Sequence, residues 1–166
     1  MRRGHRSSLL APFTACLIAI AAPSIIVAQT SKPEQPSAGE EKPYRVAADG
    51  TVDWATFNGY RRYHASCHTC HGPDGLGSSF GPALADSLKT QTYEQFLEVV
   101  VNGKQDREKK MPALGTDFNV MCYINDIYAY LKARSDNAIG RGRPAKYEKK
   151  SEDAAKAEET CMGSSR

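Results

Sequence analysis

Two cysteines three positions apart, with a histidine directly after the second, constrain this chain more than any other feature: Cys67-His68-Thr69-Cys70-His71. They lie inside about 90 residues, 51–140, that carry nearly all of the aromatic and aliphatic side chains. A core of that size is marginal and gains from a covalent or cofactor staple. A redox-active C-x-x-C is expected after a strand and before a helix. Here the motif follows a helical pattern and runs into a glycine-rich loop. A structural zinc site needs four ligands, and the remaining candidates, Cys122 and Cys161, are far apart rather than paired in a knuckle. C-x-x-C-H is instead the attachment signature of a c-type haem. Two thiols on one turn reach the two vinyl groups on one edge of the ring, and His71 then lies under the iron.

The periodicity around the motif is helical. Trp54, Phe57, Tyr60 and Tyr63 recur at three-residue steps and predict a helix from Trp54 to Ser66, with Asp53 as N-cap. Thr92 and Gln95 form a capping box for a second helix, Thr92 to Val101, which Asn102-Gly103 ends. Ile124, Ile127, Tyr128 and Leu131 define a third, Phe118 to about Arg134, capped by Asp117. No segment alternates as a strand should. Two loops, 72–89 and 104–116, are long for a small all-α domain, and such loops usually wrap around something.

The ends of the chain differ from this core. Arg2, Arg3 and Arg6 precede an apolar run, and Ile26-Val27-Ala28 stands before Gln29. That pattern matches a secretory signal peptide, residues 1–28, cleaved after Ala28 and removing Cys16. The rival is an uncleaved anchor, but Pro12, Thr14, Pro23 and Ser24 interrupt a run that barely reaches the ~20 residues of a span. Loss of the leader's three arginines leaves nineteen basic and nineteen acidic groups, so the mature chain is formally neutral. A nucleic-acid partner, which would require a basic face, is thereby disfavoured. Residues 29–50 are rich in Pro, Glu, Lys and Ser and read as a flexible linker. Residues 141–166 form a charged tail with two apolar spots, Tyr147 and Cys161-Met162.

Beyond the attachment motif, further residues resemble the class I c-type cytochromes over about Thr51 to Ser135. Gly59-x-x-x-Tyr63 is similar to the glycine and aromatic of that family's first helix. Ile127-Tyr128-Ala129-Tyr130-Leu131-Lys132 is similar to its last helix, with Ile127 and Tyr130 at the crossing. Gly81-Pro82-Ala83-Leu84 resembles the loop after the haem histidine, and Met111-Pro112 the pair that brings in the second axial ligand.

The resemblance implies a small all-α fold wrapped around one covalently bound haem c. Cys67 and Cys70 would carry the thioethers, and His71 and Met111 would be the axial iron ligands. The Pro82 carbonyl would accept the second imidazole proton of His71, and Leu84 would line the pocket with Tyr93 or Phe96. Met/His ligation raises the potential, and a six-coordinate iron in a dry pocket leaves one-electron transfer as its chemistry. Met121 reads as core packing rather than ligand. His64 lies on the proximal side, and His68, inside the motif, faces solvent. The charged run Lys104 to Lys110 reads as a solvated loop, with part of a docking rim as the alternative.

Cys122 and Cys161, with Asp49-Gly50-Thr51-Val52-Asp53-Trp54 upstream, resemble the four-cysteine, methanol-metabolism-related group of c-type cytochromes, the inducible periplasmic c-553 type. That resemblance implies a periplasmic electron carrier, not an enzyme, in a methanol or related alcohol or C1 oxidation chain. Its partners would be a quinoprotein alcohol dehydrogenase or that enzyme's cytochrome, and a downstream cytochrome or oxidase, without stable membrane insertion. The alternative function is a small haem enzyme or sensor with a displaceable distal ligand. After export four cysteines remain and the haem takes two, so a Cys122–Cys161 disulfide is expected to anchor the tail. The competing arrangement is a buried free thiol at Cys122 and an unpaired Cys161.

Overall fold

Asp53 stops the chain in an extended conformation and accepts a hydrogen bond from the Thr56 amide at 2.7 Å, which starts helix α1, Trp54–Ser66. The computed structural model describes residues 42–163. A short helix, α2 (His68–His71), continues almost directly into the motif, and a 3-10 turn at Pro73–Gly75 follows. Ala83 caps α3, Leu84–Ser87. The capping box at Thr92 and Gln95 is formed in both directions and starts α4, Tyr93–Asn102. α5 (Phe118–Met121), α6 (Ile124–Ser135) and α7 (Glu152–Gly163) complete the order.

The main packing is α1 across α6. Tyr63, Ile127, Tyr130 and Leu131 are wholly enclosed there, and Leu88, Phe96, Val100 and Val120 extend the same core. Gly59 sits at the closest approach: a Cβ on it would overlap the Asp126 carbonyl and lie 2.8 Å from Tyr130 Cβ. The Asn58 amide also donates to the Asp126 carboxylate at 2.7 Å, which pins the register of the crossing.

Four sequence expectations change. The third helix is two helices, because Tyr123 leaves helical geometry (φ −127°, ψ 14°) between α5 and α6. The apolar period runs through this break, so periodicity alone does not reveal it. The loop expected at 104–116 contains an antiparallel hairpin, β1 (Lys104–Asp106) with β2 (Lys109–Met111), in which Lys104 faces Met111. Five of its six strand residues are exposed, so no apolar-polar alternation marks it. The end of the proposed linker is packed: Tyr44 is buried against Ala129 and Ala133, and its hydroxyl donates to Asp136 at 2.7 Å.

The tail, finally, is held by more than a covalent bridge. Val52 forms isolated bridges with Val46 and with Tyr147, and the Tyr147 ring stacks on Phe57 at 3.5 Å between centroids. The Arg62 guanidinium lies 3.4 Å over the Tyr123 ring and 3.6 Å from Glu158 on α7. Cys122 and Cys161 are joined by a disulfide with their Cα atoms 5.7 Å apart, which fixes α7 beside the α5–α6 break. The disulfide expectation holds, and the free-thiol arrangement does not. The leader, residues 1–28, lies outside the described residues. Among the described residues no helix is long and apolar enough to cross a membrane.

Candidate haem site

α1 ends at Ser66, and the next turn carries the motif. The Cys70 and His71 amides both donate to the Cys67 carbonyl, at 3.2 and 3.0 Å, so the two thiols and the imidazole stand on one helical turn. Both cysteines are free, Cys70 exposed and Cys67 half-buried. Burial, with the adjacent Cys70 thiol adding to it, pushes the Cys67 thiol up to about 11. It is therefore a neutral thiol at pH 7, unlike the low-pKa thiolate of a redox C-x-x-C. Cys122 and Cys161 are already joined to each other, so they cannot complete a zinc site. Among the described residues no cluster of three or more His, Cys, Asp or Glu is arranged to hold a metal ion.

His71 is buried, and its Nδ1 lies 3.1 Å from the Pro82 carbonyl oxygen. The carbonyl is only an acceptor, so Nδ1 carries the proton and donates. Nε2 is then the basic nitrogen, the tautomer an iron ligand needs. Gly81 makes this approach possible: a Cβ there would lie 3.0 Å from both His71 Nδ1 and the Cys70 carbonyl. Two loop hydrogen bonds close the same region, Gly77 amide to His71 carbonyl at 2.8 Å and Ser78 amide to Gly81 carbonyl at 2.9 Å. Free thiols on one turn, a histidine with an oriented ring and a backbone cradle against it suit a covalently attached haem.

The other expected residues fall on the same domain. Leu84 begins α3 and packs on the core with Tyr93, while Phe96 is buried within it. Met111 ends β2 and is half-buried against that core, so the hairpin carries its thioether inward from a charged, exposed ribbon. Met121 packs on the core from α5. His64 Nδ1 is held by the Tyr60 carbonyl at 2.8 Å, and His68 is exposed.

Two residues with clear structural work were not singled out for it in the sequence. The Tyr63 hydroxyl donates to the Gly72 carbonyl at 2.5 Å and accepts from the Gly75 amide at 3.1 Å, bracketing the loop behind His71. Asp74 sits at φ 59° and is buried, with Tyr130, Arg141 and the Gly142 amide around its carboxylate. Burial acts to raise its pKa. The hydrogen bonds from Gly142, Arg141 and Tyr130, with the Arg134 charge, outweigh burial and hold it below the usual carboxylate range. The sequence places Asp74 only within the long loop 72–89, and its partners lie 56 to 68 residues away.

Comparison with known proteins agrees with this geometry. A family model described as cytochrome c oxidase, cbb3-type, subunit III matches residues 55–131. Cytochrome c-555 of Methylococcus capsulatus is 40% identical over 97 residues, 58% of this chain and 76% of that protein. The chain belongs to the class I c-type cytochromes. Within them it is similar to cytochrome c-553I of Paracoccus denitrificans, 54% identical over 123 residues, 72% of this chain. It spans 54% of the length of that relative. The crystal structure of c-type cytochrome XoxG from Methylobacterium extorquens AM1 matches with a TM-score of 0.64 and 47% identity. That match covers 74% of this chain and 83% of that one. Family membership implies haem c as the cofactor.

Proposed function

We propose that this protein is an exported monohaem cytochrome c that carries single electrons in the periplasm. The observation that carries the reading is the turn Cys67–His71, where two free thiols precede a histidine, His71, whose Nδ1 proton is committed to Pro82. Cys67 and Cys70 would hold the ring by thioethers, and His71 Nε2 and the Met111 thioether would hold the iron. When bound, the haem supplies a one-electron ferric–ferrous couple. The chain's own residues do the rest. Pro82 holds the imidazole proton and fixes the ring, which tunes ligand basicity. Leu84, Phe96 and the enclosed Tyr63–Tyr130 layer exclude water, so little reorganises when the charge changes.

The partner chain follows from the resemblance to the methanol-metabolism-related four-cysteine group. The donor would be a quinoprotein alcohol dehydrogenase or its cytochrome, and the acceptor a downstream cytochrome or oxidase. The test is a pyridine haemochrome assay and intact mass on protein exported from a host with haem-attachment machinery. One covalent haem per chain, reduced by a methanol-oxidising quinoprotein dehydrogenase, is expected. Protein without haem refutes the reading. Haem that binds carbon monoxide without loss of a methionine ligand supports an enzyme or sensor instead.

A further inference from the structure

The buried carboxylate of Asp74 belongs to the loop that follows His71, yet its partners come from the far end of the chain. Gly142 donates its amide to Asp74 Oδ1 at 2.9 Å, and Arg141 donates Nε to Oδ2 at 3.3 Å. Tyr130 of α6 donates its hydroxyl to Oδ1 at 3.3 Å, and His64 Nε2 stands 3.9 Å from the same oxygen. Buried Arg134 adds a hydrogen bond from Nε to the Asp74 carbonyl at 3.4 Å, while its Nη1 donates to Ile139 at 2.8 Å. One loop residue thus gathers α1, α6 and the start of the tail around a single anion.

The loop held in this way is the one that leads from His71 to Pro82. Tyr63 pins it at Gly72 and Gly75, and Asp74 pins it between them. The His71–Pro82 hydrogen bond spans the loop's two ends, so its geometry depends on both pins. We propose that Asp74, latched by the Gly142 amide, is a positioning residue for the haem-binding loop, so that the C-terminal segment takes part in setting the reduction potential. The proposal rests on the haem reading above. Two effects act in one direction. A fixed Pro82 acceptor strengthens the imidazole as a donor to iron and favours the ferric state. A buried negative charge near the site favours the ferric state as well, because it is poorly screened. Opening the latch weakens both, since the carboxylate then meets water, and the potential rises.

The experiment is spectroelectrochemical titration of the exported, haem-loaded protein and three variants, with haem content by pyridine haemochrome. Asp74→Asn keeps the size and the tolerance for positive φ but removes the charge. Gly142→Pro keeps the charge, removes the amide donor and excludes the observed φ of 82°. Asp86→Asn is the control, an exposed acid on α3 just beyond that loop, whose partner is Lys89 at the surface. Asp74→Asn and Gly142→Pro are both expected to raise the midpoint potential, with one haem per chain and the methionine-to-iron charge-transfer band retained. Asp86→Asn should leave the potential unchanged. A rise in Asp74→Asn alone would overturn positioning in favour of a simple charge effect. Lower melting temperatures without any shift in potential would overturn it in favour of a purely structural latch. Absence of haem from the parent protein would overturn the haem reading itself, before the variants are compared.

Discussion

Alanine in place of Gly59 tests the helix crossing on which the fold depends. In an ordinary helix interior this change stabilises by about 1 kcal/mol, because alanine loses less backbone entropy than glycine. Here the new Cβ would lie 2.5 Å from the Asp126 carbonyl carbon and 2.8 Å from Tyr130 Cβ. Neither is the free end of a flexible side chain. Carbon atoms rest about 3.5–4 Å apart, and the Asp126 carbonyl oxygen lies nearer still, so α1 and α6 must separate by at least about 1 Å. That loosens the layer of Tyr63, Ile127 and Tyr130, each at most 1% exposed. Overpacking of this kind costs about 3 kcal/mol at the upper end of its usual range. Net of the helix preference, Gly59→Ala is expected to destabilise by about 2 kcal/mol, and Gly59→Val by more. At about 4 °C per kcal/mol for a body of this size, the melting temperature falls by about 8 °C. Thermal unfolding of the oxidised, haem-loaded protein followed by far-UV circular dichroism is the assay, with haem content as a check on attachment. A melting temperature equal to or above that of the parent would refute the reasoning, because propensity alone would then govern the site.

Three further expectations concern the ligand, the bridge and pH. Met111→Ala should leave the haem attached, lower the potential and open the iron to cyanide or carbon monoxide; if Met121→Ala does this instead, the hairpin does not deliver the ligand. The disulfide closes a sequence separation of 39, for which the chain-entropy model gives about 4 kcal/mol. Cys122→Ser/Cys161→Ser should lower the urea midpoint accordingly, and alkylation of the parent without reduction should label neither cysteine. The carboxyl of Asp74 is held below its unfolded value of about 3.9, so its stabilisation is present at neutral pH and lost as pH falls through the folded value. The gap in urea midpoint between parent and Asp74→Asn should therefore be largest near pH 7 and shrink towards pH 3. A gap that widens on acidification would mean that Asp74 is protonated in the fold.

Local chemistry is legible in a sequence when its cause is local. Asp53 caps α1 and Thr92 pairs with Gln95 because a cap needs only residues three apart. The C-x-x-C-H turn reads directly for the same reason, and the resemblance of Gly59-x-x-x-Tyr63 to the family's first helix pointed to the crossing. The Cys122–Cys161 bridge followed from counting thiols. What the sequence could not decide depends on distance in space. Tyr123 breaks an apolar period that runs on unchanged, and the hairpin at 104–111 is exposed along nearly its whole length, so burial leaves no mark on its composition. Tyr147 reads as an isolated apolar spot until Phe57 is seen stacked against it. Asp74 is one more residue of a long loop until that loop meets Gly142 arriving from the tail. An anion can be buried only where donors converge on it, and convergence across about 70 residues is a property of the tertiary fold.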